Sequence, residues 1–175
     1  SRRHLQDVVD IMVMGEPGAA CLLGWSDVSV RRYRERLYLS QMHPRSAVYE
    51  SVWKAGADGP IVADGRRLMA VEVDGDGIRK SICDALGVNV RRRSGGERCR
   101  TVGYGCSKTL KKLFQERGVP PWLRDGYPLL YVGDELAGIA GLCYCQPHAA
   151  AAGEIGLVFT LVDVDERESG QVLIP

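Results

Sequence analysis

The sequence has 175 residues, 45% hydrophobic and 26% charged. That suits a folded chain with one substantial core or two small ones and excludes a disordered or collagen-like protein. The formal net charge is only +1, so affinity for a polyanion cannot be argued from the whole chain and depends on where the charge sits. No apolar run reaches the roughly 20 residues that span a bilayer, and the first residues lack the basic, apolar, small-residue order of a secretion signal. A cytoplasmic protein without membrane contact is expected. The chain opens on Ser1-Arg2-Arg3-His4 without an initiator methionine, directly ahead of a helical pattern, and reads as a piece of a longer protein.

Leu5, Val8, Val9, Met12 and Val13 recur at helical spacing before Gly15 and Pro17, which predicts an amphipathic helix over 3–14. Short strands are expected at Asp27–Val30 and Leu37–Ser40, around the basic segment Arg31-Arg32-Tyr33-Arg34-Glu35-Arg36. From Gln41 to Asp64, Pro44, Gly56, Gly59 and Pro60 interrupt weak periodicity, so the domain boundary is placed near 41–46, separating 1–42 from 43–175. Leu68–Val73 reads as a strand and Asp74-Gly75-Asp76-Gly77 as a tight turn. Ile78, Ile82 and Leu86 read as a short helix closed by Gly87. Further strands are expected at Val88–Arg92, Leu129–Val132, Leu136–Cys145 and Ile155–Val164, with a turn at Ser94–Gly96 and a helix over Ser107–Arg117. This order gives an α+β fold: a short N-terminal helical and hairpin segment, then a mixed, mainly antiparallel sheet domain with two short helices.

The charge is concentrated. Between Arg91 and Arg124 ten basic residues face two acidic ones, a local +8 that leaves −7 for the remainder. Within Ser107–Gly118, Leu110, Leu113 and Phe114 share an arc of about 100°, and Lys108, Lys111, Lys112 and Gln115 share an arc of similar width opposite. Ser107 is the expected N-cap and Gly118 the expected stop, with Pro120 and Pro121 beyond it. Lysines near a helix N-terminus oppose the dipole; solubility alone would favour acids there. The pattern suits a phosphate, with Arg93, Arg98 and Arg100 nearby. RNA fits better than DNA, because no helix-turn-helix, zinc-finger or basic-zipper pattern is present and an A-form backbone is read by basic surface. Arg124 fits either a phosphate contact or a pair with Asp125, and Trp122 either a base-stacking contact or a core anchor.

Other chemistries fare worse. Ser94-Gly95-Gly96 lacks the Asp-Ser continuation of an ATP-pyrophosphatase loop, and Gly103–Lys108 lacks P-loop order. Asp74–Gly77 reaches Ala85, not glutamate, at the twelfth position of a calcium loop. His4, His43 and His148 are scattered, so no catalytic set and no metal site is expected. The cysteines at 21, 83, 99, 106, 143 and 145 have no regular spacing in a chain this long, and reduced, structural thiols are expected.

Arg93-Ser94-Gly95-Gly96-Glu97, Leu110-Lys111-Lys112-Leu113-Phe114-Gln115-Glu116, Val119-Pro120-Pro121-Trp122-Leu123-Arg124-Asp125 and Pro128-Leu129-Leu130 together resemble the C-terminal domain of bacterial tRNA(Ile)-lysidine synthetase. Val30-Arg31-Arg32-Tyr33 with Leu37-Tyr38-Leu39 is similar to the end of that family's helical substrate-binding domain. The resemblance implies an ATP-dependent ligase that joins lysine to C2 of the wobble cytidine in tRNA(Ile) with a CAU anticodon. It implies that ATP, with Mg, binds an N-terminal catalytic domain outside this chain, which itself carries no cofactor and no catalytic residue. The expected partners are that tRNA, the catalytic domain and a possible second copy. The tRNA-binding residues expected are Arg93, Arg98, Arg100, Lys108, Lys111, Lys112 and Arg124. The rival expectation is a docking domain whose basic face meets an acidic protein surface. Cys99, Cys106 and the stretch from Gln41 to Asp84 lie outside the shared motifs.

Overall fold

The structure, a computed structural model, describes residues 2–13, 22–25, 28–41, 51–53 and 66–163. The chain divides into two compact units, Ser1–Arg45 and Ser46–Pro175. Its architecture is α+β, as composition and element order indicate. Among the described residues no helix is long and apolar enough to cross a membrane.

In the first unit, α1 (Arg2–Asp7) continues as a π-helical stretch, Val8–Val13, so the expected helix is present but changes its winding halfway. Met14 lies outside the described residues. Strands β1 (Leu22–Trp25), β2 (Val28–Tyr33) and β3 (Arg36–Gln41) form an antiparallel sheet in that order. The β2–β3 pairing runs from Val28↔Gln41 to Tyr33↔Arg36, which extends both expected strands through the basic segment and leaves a turn of only Arg34 and Glu35. Arg34 adopts φ 55°, as a tight hairpin turn demands. The ring of His4 stacks on Trp25 at 4.8 Å.

The second unit is layered. Its middle layer is a five-stranded antiparallel sheet in the order β12 (Cys143–Tyr144), β11 (Glu135–Ile139), β10 (Leu129–Val132), β7 (Val88–Arg91) and β4 (Ser51–Trp53). β4 falls in a stretch whose sequence predicts nothing regular. On one face lies a second sheet of β5 (Arg66–Asp74), β13 (Ile155–Asp163) and β6 (Ile78–Arg79), with α2 (Lys80–Leu86). Ile78 therefore belongs to a strand paired with Leu157, not to the helix, and Leu86 is 66% exposed. Gly77, at φ 91°, packs against the backbone of Leu157, and Gly156 against the carbonyl of Asp76. Only glycine permits backbones this close. That is why Asp74–Gly77 folds as a turn over β13. The core between these sheets contains Leu68, Ile78, Val88, Val90, Leu130 and Phe159, all fully buried.

The opposite face of the middle sheet packs on α3 (Leu110–Glu116) and the hairpin of β8 (Arg98–Cys99) and β9 (Lys108–Thr109). Leu110, Leu113, Phe114, Val119, Leu129 and Ile139 form the core here, with Cys99, Cys143 and Cys145. Cys99 and Cys145 are joined by a disulfide across 46 residues of sequence. This corrects the expectation of reduced thiols throughout: the pairing depends on tertiary proximity, which spacing does not reveal. Cys83, Cys106 and Cys143 are free.

Candidate RNA-binding surface

The basic segment is carried by three linked pieces, the Arg93–Glu97 loop, the β8–β9 hairpin and α3. In α3, Leu110, Leu113 and Phe114 are buried at 1%, 4% and 0% exposure, which turns Lys111, Lys112 and Gln115 outward, as the helical spacing predicts. The helix starts later than the sequence suggests. Thr109, not Ser107, is the N-cap, and its hydroxyl accepts from the amide of Lys112 at 3.4 Å. The helix ends where expected: Gly118 adopts φ 71°, and the amides of Gly118 and Val119 return to Gln115 O and Phe114 O.

Lys108 consequently leaves the expected helical face. It sits in β9 opposite Cys99, and its ammonium reaches over α3 to Glu116 at 2.8 Å. The same Nζ stands 4.1 Å from the centre of the Tyr104 ring. The hydrogen bond to Glu116 holds the Lys108 pKa above the ordinary lysine value, against partial desolvation. Lys108 is thus a charged strut between helix and hairpin loop.

Arg98 is exposed, and its Nη2 donates to the carbonyl of Ser107 at 2.8 Å, closing the hairpin. Arg100 is exposed one residue beyond the disulfide, with its carbonyl accepting from Gln146 N at 2.8 Å. Arg93 lies partly buried between two acids, with Nη1 3.4 Å from Asp125 and Nε 3.9 Å from Glu97. The Ser94–Gly96 turn wraps the Glu97 carboxylate, which accepts from Ser94 N at 2.5 Å, Gly95 N at 2.9 Å and Ser94 Oγ at 3.0 Å. Burial pushes the Glu97 carboxyl pKa up. The backbone amides of Glu97, Gly95 and Ser94 and the Ser94 hydroxyl outweigh it and leave the pKa below the ordinary glutamate value.

Arg124 is the clear correction. It is 8% exposed, and its Nε donates to the carbonyl of Val119 at 3.0 Å. Its guanidinium therefore fastens α4 (Pro121–Arg124) to the end of α3 and is removed from the solvent-facing set. Asp125, the alternative partner in sequence, pairs instead with Arg93. Arg91 is also engaged, over the Tyr131 ring at 4.8 Å and 3.3 Å from Asp134. The exposed cations of this region are thus Arg98, Arg100, Lys111, Lys112 and Arg117, with Arg93 and Lys108 beside them in internal pairs. His148, read from sequence as isolated, is buried, with Nε2 2.9 Å from Glu135 Oε2.

The model of the TilS substrate C-terminal domain family matches residues 88–161, which take in four of the five strands of the middle sheet, the basic hairpin, α3 and most of the last strand. Residues 88–161 belong to that family. The TilS assignment agrees with sequence relatives. The tRNA(Ile)-lysidine synthase of Coxiella burnetii is 32% identical over 155 residues, covering 88% of this chain and 34% of the relative. That of Methylococcus capsulatus is 35% identical over 136 residues, covering 76% of this chain and 30% of the relative. The chain spans about a third of the length of the relatives it matches. A crystal structure of a TILS C-terminal domain superposes with a TM-score of 0.48 at 17% identity, over 66% of this chain and 98% of that one. The family assignment rests on the sequence matches and not on that superposition.

Proposed function

We propose that this chain is the tRNA-positioning region of a tRNA(Ile)-lysidine synthase. It would hold tRNA(Ile) through its phosphates while another domain joins lysine to C2 of the wobble cytidine of the CAU anticodon, at the expense of ATP. The observation that carries this reading is the fixed outward display of Lys111 and Lys112 by the buried face of α3, beside exposed Arg98 and Arg100. Cations held in register by a packed core can meet a phosphate backbone with little further ordering. The names of the relatives supply tRNA(Ile) and lysidine; the CAU anticodon, the attachment at C2 and ATP are what the family resemblance implies.

In this reading ATP and Mg belong to the catalytic domain, and the reaction takes place in the cytoplasm. In the Ser94–Gly96 turn the amides of Ser94 and Gly95 are taken by Glu97. Among the described residues, no three His, Cys, Asp or Glu side chains are grouped to hold a metal ion.

The test is salt-dependent binding of a tRNA(Ile) transcript. Replacing Lys111 and Lys112 together by Ala should weaken binding and reduce the slope of log K against log salt by about 0.9 for each phosphate no longer neutralised. Unchanged affinity and slope in the folded double variant would sink the proposal and favour docking of the basic face on an acidic protein surface.

A further inference from the structure

Charge does not explain the loop between β8 and β9. At its tip Tyr104 is 53% exposed and Val102 54% exposed, an apolar display in the middle of a cationic region. The loop is pinned at both ends. The Cys99–Cys145 disulfide and the Thr101–Cys145 bridge hold its start, and the bond from Arg98 Nη2 to Ser107 O holds its close at 2.8 Å. Inside it, Tyr104 N donates to Thr101 O at 3.2 Å. Gly103 and Gly105 flank the ring, and a Cβ added at either would meet nothing within 4 Å. The space beside Tyr104 is therefore open. The ring is also oriented: the Lys108 ammonium lies 4.1 Å from its centre and is itself fixed at 2.8 Å by Glu116.

We infer that Tyr104 is a stacking platform for an unpaired nucleotide of the bound RNA, with Arg98 and Arg100 taking the flanking phosphates. The inference rests on the RNA-binding reading above and deepens it, by assigning this loop to single-stranded rather than base-paired nucleotides. An oriented aromatic ring among cations suits an unstacked base, since every base offers a π-face and needs no particular hydrogen-bond pattern. A duplex keeps its bases stacked on one another and has none to offer.

The test compares binding of the 175-residue chain to a tRNA(Ile) transcript, a short single-stranded oligoribonucleotide and an RNA duplex of the same length, each over a range of salt. Tyr104→Ala is expected to weaken binding to the single strand and the tRNA about 10-fold, to leave the duplex unaffected and to leave the salt slope unchanged, because every phosphate keeps its cation. Tyr104→Phe should bind as wild type. Tyr104→Leu, which keeps apolar bulk without a π-face, should behave as the alanine variant, and thermal unfolding checks that each variant is folded. Wild-type affinity for the single strand in Tyr104→Ala, or equal weakening on single strand and duplex, would overturn the platform while leaving RNA binding intact. Failure of the wild-type chain to bind any of the three RNAs would overturn both readings.

Discussion

Glu97 is an acid inside a basic window, and its contribution is structural. Its carboxylate accepts two amides and a hydroxyl from Ser94 and Gly95, bonds that strengthen when the acceptor is charged. Replacing it with glutamine should destabilise the unit by about 1–2 kcal/mol near neutral pH. The folded pKa lies below the ordinary value. The stabilisation is therefore fully present above the unfolded pKa, roughly 4.3, and is lost as pH falls through the lower folded one. Urea unfolding should show the gap between wild type and Glu97→Gln closing in that acid window; a gap that widens there would contradict the assignment. At this scale the sequence is partly legible. Its spacing identifies Lys111 and Lys112 as outward-facing, because a 3.6-residue period needs no tertiary knowledge. It does not foresee the place of Arg124, which is neither of the two it offers. That place depends on the carbonyl of Val119, just beyond α3 and within reach of the Arg124 guanidinium at 3.0 Å.

At the level of elements, the sequence identifies α3, the β10–β11 hairpin and the last strand, all of which announce themselves by period and by glycine turns. It places the N-cap of α3 two residues too early, at Ser107 instead of Thr109, because Lys108 finds a backbone partner in Cys99, and strand pairing outcompetes a first helical turn capped by Ser107. β4 and β6 are three and two residues long, too short for any alternation to register. The disulfide is the element-scale feature with the largest energetic reach. Linking residues 46 apart restricts the unfolded chain by about 4 kcal/mol in the loop-closure description. Reduction, or Cys99→Ser with Cys145→Ser, should lower the thermal midpoint. The β8–β9 hairpin should loosen first, read as faster amide exchange at Lys108 and Thr101. An unshifted midpoint on reduction would show that the hairpin is held by packing alone.

For the second unit, Ser46–Pro175, the decisive strand is β10. Leu129 faces the core under α3 and Leu130 the core under β13, and both are 0% exposed. The α+β class is readable from the order of elements. That one strand serves two cores is not, because Leu129-Leu130-Tyr131-Val132 is apolar throughout and shows no sidedness. Neither core can be dismantled without stripping one side of this strand. The two cores are therefore energetically coupled through this strand, and the amides of β10 should be the last to exchange. The RNA-facing layer inherits that coupling. A cavity cut far from it, beneath Phe159, would loosen the ground on which Lys111, Lys112 and Tyr104 stand, so damage to recognition can originate in residues that never approach a nucleotide.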